Sequence, residues 1–99
     1  MQDLATARKI AVLGAGAWGT ALANAAAARA GREVALWARD AAHVAEMTAE
    51  RENRRRLPGV ALSENVAPQA DLAAAVAGAQ IVLAVAPAQA MRDLAMRLE

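Results

Sequence analysis

The chain contains no cysteine, tyrosine or phenylalanine, and it has only two tryptophans, one histidine and one lysine. Without cysteine there is no disulfide framework and no thiol chemistry, which suits a reducing compartment such as the cytoplasm. No stretch of about 18 to 20 strongly apolar residues exists, so nothing is built to span a membrane. The nearest approach, Ala21 to Ala30, is alanine-rich and interrupted by Asn24 and Arg29. Met1 to Lys9 lacks the apolar segment of a secretory signal. A net charge of +1 argues against a broad electrostatic footprint for nucleic acid or an anionic membrane.

What is present is 99 residues, enough for one small domain, with 58% hydrophobic side chains. Much of that fraction is alanine, so the expected core is one of small side chains that let helices lie close on a sheet. The chain is organised around Lys9 to Ala23, KIAVLGAGAWGTALA. A short apolar run, Ile10 to Leu13, leads into Gly14, Gly16 and Gly19 at GxGxxG spacing and then, unbroken, into an alanine-rich helix. Strand, tight turn and helix in that order are the context in which this triplet marks a dinucleotide site. Gly14 permits the sharp turn, Gly16 lets backbone approach a pyrophosphate, and Gly19 lets the helix pack against the strand. The helix start, with the N–H groups of Ala17 and Trp18, then faces the phosphates.

The remaining elements follow in order. Residues 1–8 read as a flexible lead-in and 10–13 as the first strand. The first helix runs over 17–30 to a terminating Gly31, and the second strand over 33–37. Asp40 caps a helix over 41–52, with Val44 and Met47 on its apolar face and His43, Glu46, Glu50, Arg51 and Glu52 solvated. Arg54 to Arg56 precede the break at Leu57-Pro58-Gly59. A short strand near 65–67 is followed by a helix over 72–76 capped by Asp71 and closed by Gly78. A strand over 81–85 and a helix over 88–98 end the chain. Three good strands and one weaker one make an α/β fold, about half of a doubly wound, mostly parallel sheet that is incomplete at its C-terminal end.

The cofactor type is read at the end of the second strand, where an acidic residue about 20 positions past the glycines would hold the ribose of NAD. Counting 20 on from Gly19 gives Arg39, with Asp40 next. A guanidinium there attracts a 2′-phosphate, which favours NADPH over NADH; the alternative is a solvated arginine at the sheet edge. Trp18 either stands beside the cofactor and substrate cleft or packs into the core, whereas Trp37, inside a strand, reads as core. Pro87, just past the last strand, is either a wall of the cofactor site or a simple turn. Arg54 to Arg56 read as a solvated face with a lesser chance of meeting the adenosine phosphate. Lys9 enters the first strand at its amino end, the wrong side for chemistry. No paired carboxylates, Ser/His arrangement or metal-binding cluster is visible, so this segment is expected to hold a cofactor without turning over substrate.

Several collinear stretches resemble the N-terminal part of the bacterial NAD(P)-dependent glycerol-3-phosphate dehydrogenases. They are GAGAWGTALA at 14–23, VALWARD at 34–40, Asn53 with Leu57-Pro58-Gly59, ENV at 64–66 and LAVAPAQAMR at 83–92. The resemblance implies that 9–99 is the N-terminal part of an NAD(P)-binding Rossmann domain, with Ala17, Trp18 and Arg39 contacting NADPH. It also implies an enzyme that interconverts sn-glycerol 3-phosphate and dihydroxyacetone phosphate for phospholipid synthesis. Two departures stand out. Pro87-Ala88-Gln89 replaces the family's usual Pro-Ser pair, and the family's Thr-Lys-Gly element and helical catalytic domain have no counterpart in this chain. Two other readings stay open: another two-domain dehydrogenase, and a non-catalytic module whose unpaired sheet edge drives self-association.

Overall fold

The computed structural model describes residues 7–85. Among them the chain forms β1 (Lys9–Leu13), α1 (Ala17–Ala27), β2 (Glu33–Trp37), α2 (Ala41–Glu50), β3 (Val66–Gln69), α3 (Leu72–Val76) and β4 (Ile81–Ala84). All strand pairings are parallel, and the sheet order is β3-β2-β1-β4.

Alternation along β1 and β2 explains the layers. Ile10, Val12, Val34 and Leu36 point to one face, where they pack with Ala23 and Ala27 of α1 and Met47 of α2. Ala11, Leu13, Ala35 and Trp37 point to the other face and meet Leu72 and Ala75 of α3. Both faces are covered, which is why these strands read as continuous apolar runs rather than as alternating ones. Burying one such side chain fully, as at Leu36, is worth about 1.5–3 kcal/mol.

The chain proceeds outward from β1 through β2 to β3, then returns past β1 to place β4 on its other side. The direction of winding therefore reverses between β1 and β4. In open α/β sheets the crevice at the carboxyl ends of the strands beside such a reversal is where ligands bind. The α/β, doubly wound reading of the sequence agrees with this order.

Several boundaries differ from the sequence reading. The weaker strand spans 66–69 and includes Pro68, which stands opposite Leu36. Proline lacks an N–H for the ladder and is tolerated because β3 lies at the sheet edge. Helix α1 stops at Ala27 rather than at residue 30. Its last carbonyls are claimed by side chains: Arg32 Nη1 donates to Ala26 O at 3.1 Å, and Asn65 Nδ2 to Ala27 O at 2.8 Å. The chain is thereby turned early toward Gly31, whose φ is 81°.

Residues 7 and 8 are pinned rather than loose. Ala7 is buried and accepts from Arg32 Nε, while Arg8 O accepts from Glu33 N at 2.8 Å. Lys9, at the amino end of β1, donates from Nζ to Ala77 O at 2.7 Å, a cation satisfying the carbonyl end of α3. Pro87 and the helix expected over 88–98 lie outside the described residues.

Candidate dinucleotide site

The glycine loop sits at the carboxyl end of β1. Gly14 has a φ of 123°, a conformation that L side chains rarely adopt, and its N–H donates to Trp37 O at 2.9 Å. The loop is thereby fastened to the end of β2. Gly16 is the N-cap of α1, in extended conformation and with no side-chain cap. The first bond of the helix runs from Thr20 N to Gly16 O at 3.0 Å. The N–H groups of Ala17, Trp18 and Gly19 are thus left without intrahelical acceptors.

The other two helices among the described residues start differently. Asp40 Oδ1 accepts from Ala42 N at 2.9 Å, and Asp71 Oδ1 accepts from Ala73 N at 3.1 Å. Helix α1 has no such side-chain cap, and like α2 and α3 it carries no acidic residue in its first turn. A Cβ placed on Gly16 would meet nothing within 4 Å, so the loop faces open space. A Cβ on Gly19 would lie 1.8 Å from Gly14 O and 3.7 Å from Val12 Cγ1, so the third glycine is what lets α1 close on the turn. The result is a helix N-terminus with open backbone in front of it and positive dipole character along its axis.

Trp18 projects from the first turn of α1 and is 74% exposed. The core-packing alternative is thereby removed. Trp37 does pack in the core, with Nε1 donating to Ala70 O at 3.0 Å. Arg39 is exposed just past Trp37, and Trp37 is the register partner of Leu13. Arg39 and the glycine loop therefore share one sheet edge. The structure gathers Gly14 and Gly16 in the loop and Ala17, Trp18 and Gly19 in the first turn of α1, with Arg39 just past the neighbouring strand end; Pro87 falls outside the described residues.

Asp40, beside Arg39, is already engaged. Its Oδ1 caps α2 while its Oδ2 takes Arg55 Nη1 at 3.2 Å. The backbone N–H groups of Ala42 and His43, with Arg55, hold its carboxyl below the ordinary range. Arg55 also pairs with Glu46, whose pKa is lowered for that reason, and the Arg55 pKa is raised in turn. Arg54 pairs with Glu50 at 2.6 Å on the exposed face. Arg54, Arg55 and Arg56 are all exposed, as expected of a solvated face, and the first two form surface pairs with carboxylates there.

Two expectations fail. Arg51 is half-buried rather than solvated: Nη2 donates to Ser63 O and Val66 O, both at 2.8 Å. His43 is buried rather than on the helix surface, with Nε2 2.7 Å from Asn53 Oδ1. Asn53 is fully buried and reaches the glycine loop: its Nδ2 donates to Ala15 O at 2.9 Å and to Thr20 Oγ1 at 2.8 Å. In the sequence Asn53 lies within the charged run from Glu50 to Arg56, just ahead of the Leu57-Pro58-Gly59 turn. No periodicity marks it as buried.

Among the described residues no group of three or more His, Asp or Glu gathers to hold a metal ion. Among the same residues no helix is long and apolar enough to cross a membrane.

Comparison with known proteins bears on the owner of this loop. Residues 9–99 match the family described as NAD-dependent glycerol-3-phosphate dehydrogenase N-terminus. A glycerol-3-phosphate dehydrogenase [NAD(P)+] from Azorhizobium caulinodans is 60% identical over 90 residues, covering 91% of this chain and 27% of that protein. The Beijerinckia indica protein of the same name is 53% identical over 92 residues, covering 93% of this chain and 27% of its own length. The crystal structure of glycerol-3-phosphate dehydrogenase from Coxiella burnetii superposes with a TM-score of 0.85 at 42% identity, covering 92% of this chain and 28% of that one. The chain thus spans little more than a quarter of the length of these relatives. The likeness read from LWARD and LPG agrees with all three comparisons, and the chain belongs to the family of NAD-dependent glycerol-3-phosphate dehydrogenase N-terminal domains.

Proposed function

We propose that this chain is the dinucleotide-holding part of an NAD(P)-dependent glycerol-3-phosphate dehydrogenase. The observation that carries the reading is the start of α1: an uncapped glycine N-terminus, without acidic residues, opening onto free space at the carboxyl edge of a parallel sheet. The residues fit the cofactor. A pyrophosphate would take the N–H groups of Ala17, Trp18 and Gly19, approaching across Gly14 and Gly16, where no side chain intervenes. Arg39 would meet a ribose 2′-phosphate. Asp40, which could otherwise compete for ribose hydroxyls, is occupied by the cap of α2 and by Arg55. NADPH is therefore favoured over NADH. Exposed Trp18 would flank the bound cofactor, and Pro87 is proposed as part of the wall beyond β4.

The bound dinucleotide supplies the hydride carrier. The chain's own part is to neutralise the diphosphate with backbone N–H groups and to orient the cofactor along the sheet edge. In the whole protein the reaction would interconvert sn-glycerol 3-phosphate and dihydroxyacetone phosphate, in the cytoplasm and toward phospholipid synthesis. This segment alone is expected to be catalytically silent. Titration of the chain with NADPH and NADH, followed by tryptophan fluorescence from Trp18, tests the reading. Binding of NADPH in the micromolar to millimolar range supports it; no binding of either cofactor at millimolar concentration overturns it.

A second reading rests on β4. Among the described residues β4 pairs with β1 alone, and Val82 on it is 42% exposed. An open parallel edge of this kind seeks a partner, so the isolated chain would self-associate. A stable monomer at high concentration in sedimentation would overturn this.

A further inference from the structure

We infer that Asn53, braced by His43, is a positioning residue that holds the glycine loop in its phosphate-binding shape. The inference rests on the reading of that loop as a dinucleotide site, but the brace itself is visible without ligand. Ala15, between Gly14 and Gly16, has a carbonyl that can only accept. The atom of Asn53 facing it is therefore the amide nitrogen, which fixes the orientation of the side chain on chemical grounds. The second amide hydrogen goes to Thr20 Oγ1, one turn into α1. Oδ1 is then left on the far side, where it accepts from Arg56 N at 3.3 Å and meets His43 Nε2 at 2.7 Å. Because Oδ1 only accepts, His43 must carry its hydrogen on Nε2.

One side chain thus clamps the loop to the first turn of the helix it feeds, and ties both to α2 and to the 53–57 turn, where Leu57 N donates to Asn53 O at 2.7 Å. The need for a clamp follows from the glycines. Gly14 and Gly16 leave the loop with more backbone freedom than any other residues would, and a phosphate cradle works only if its N–H groups are already aimed. Asn53 and Thr20 are fully buried, so water does not compete for these bonds. Aspartate has no hydrogens to offer Ala15 O and Thr20 Oγ1 together, and serine is too short to reach both sides. Asparagine supplies two donors and an acceptor in one plane.

The test uses the whole 99-residue chain and compares Asn53→Ala, His43→Leu and His43→Gln with Met47→Ala, a buried control on α2 outside the network. Amide hydrogen exchange is read at Gly14 and Thr20, the bonded N–H groups on either side of the loop, alongside NADPH titration. Asn53→Ala should speed exchange at these two amides beyond its effect on global stability. It should also weaken NADPH about tenfold per folded molecule, the scale of one buried hydrogen bond. His43→Leu should shift both readouts in the same direction, and His43→Gln, which can again donate to Oδ1, should restore them. In the wild-type chain the His43 Nε2 resonance should show a directly bonded hydrogen, and a bare Nε2 would overturn the contact to Asn53 Oδ1. Equal loosening of Gly14 and Thr20 in Asn53→Ala and Met47→Ala would overturn the brace. Loosened amides with unchanged NADPH affinity would overturn the positioning role. A wild-type chain that binds no dinucleotide would refute the function proposed above, while the exchange data would still decide the brace.

Discussion

Gly19 lies so close to Gly14 that a Cβ on it would stand 1.8 Å from the Gly14 carbonyl oxygen. Backbone, not a yielding side chain, is what it would strike. Gly19→Ala must therefore push α1 off β1 or distort the turn, and overpacking of this kind costs about 1–3 kcal/mol or more. Thermal or urea unfolding of the variant should show the loss directly.

Gly16→Ala separates binding from stability. Its backbone is extended, with φ −78°, and the space a Cβ would enter is empty. Stability should change by no more than about 0.5 kcal/mol, the scale of a surface substitution. The new methyl would nonetheless stand where the diphosphate approaches, and NADPH affinity should fall by about tenfold or more, equivalent to about 1.4 kcal/mol. Loss of stability without loss of affinity would reverse the roles assigned to Gly16 and Gly19.

Arg39 is expected to act on one cofactor only. A charge-assisted bond to a 2′-phosphate is worth about 1.5–3 kcal/mol, so Arg39→Ala should weaken NADPH by about tenfold to a hundredfold and leave NADH nearly unchanged. Parallel titrations measure the two effects. An equal loss for both cofactors would place Arg39 on the adenine or outside the site.

The Asp40–Arg55–Glu46 cluster sets an acid limit. Both carboxyl pKa values are lowered, Asp40 chiefly by the Ala42 and His43 N–H groups and Glu46 by its bond to Arg55. Groups lowered on folding stabilise the fold above their unfolded values, and that contribution is lost as pH falls through the folded ones. Unfolding midpoints should therefore hold above about pH 5 and decline below about pH 4. Both groups are exposed, so the decline should be shallow and should weaken further in high salt. In Asp40→Asn part of this acid dependence should vanish while the cap of α2 survives, because an asparagine side chain also accepts from N-terminal N–H groups.

How much was legible in the sequence follows from what each residue's position depends on. The glycine loop, the Asp40 and Asp71 caps and the burial of Trp37 are local matters, settled by spacing and short-range chemistry, and the structure places them where the pattern does. The fold class was equally legible, because continuous apolar strands alternating with alanine-rich helices leave few arrangements. His43, Arg51 and Asn53 were not legible. Each is polar, and each is inward-facing only because a partner distant in sequence meets it: Asn53 for His43, Ser63 and Val66 for Arg51, Ala15 and Thr20 for Asn53. The early end of α1 has the same origin, since Arg32 and Asn65 take its carbonyls from outside the helix.

Arg51 sets two effects against each other, and magnitudes decide between them. It ends α2 in the left-handed region, with φ 55°, where glycine would be more comfortable. Strain of that kind costs a non-glycine residue about 1–2 kcal/mol. Its guanidinium, however, donates to both Ser63 O and Val66 O, tying the helix end to the lead-in and first residue of β3. Hydrogen bonds from a charged donor are worth about 1.5–3 kcal/mol each. Two such bonds outweigh the relief of strain, so Arg51→Gly should be destabilising by about 1–3 kcal/mol, although glycine suits the backbone better. Arg51→Lys should also lose stability, because an ammonium on a flexible four-carbon stem is less preorganised than the planar guanidinium whose Nη2 alone serves both carbonyls here. Urea unfolding of both variants checks the order. A stabilised Arg51→Gly chain would mean that the helix end is held by its backbone alone and that β3 needs no tie from α2.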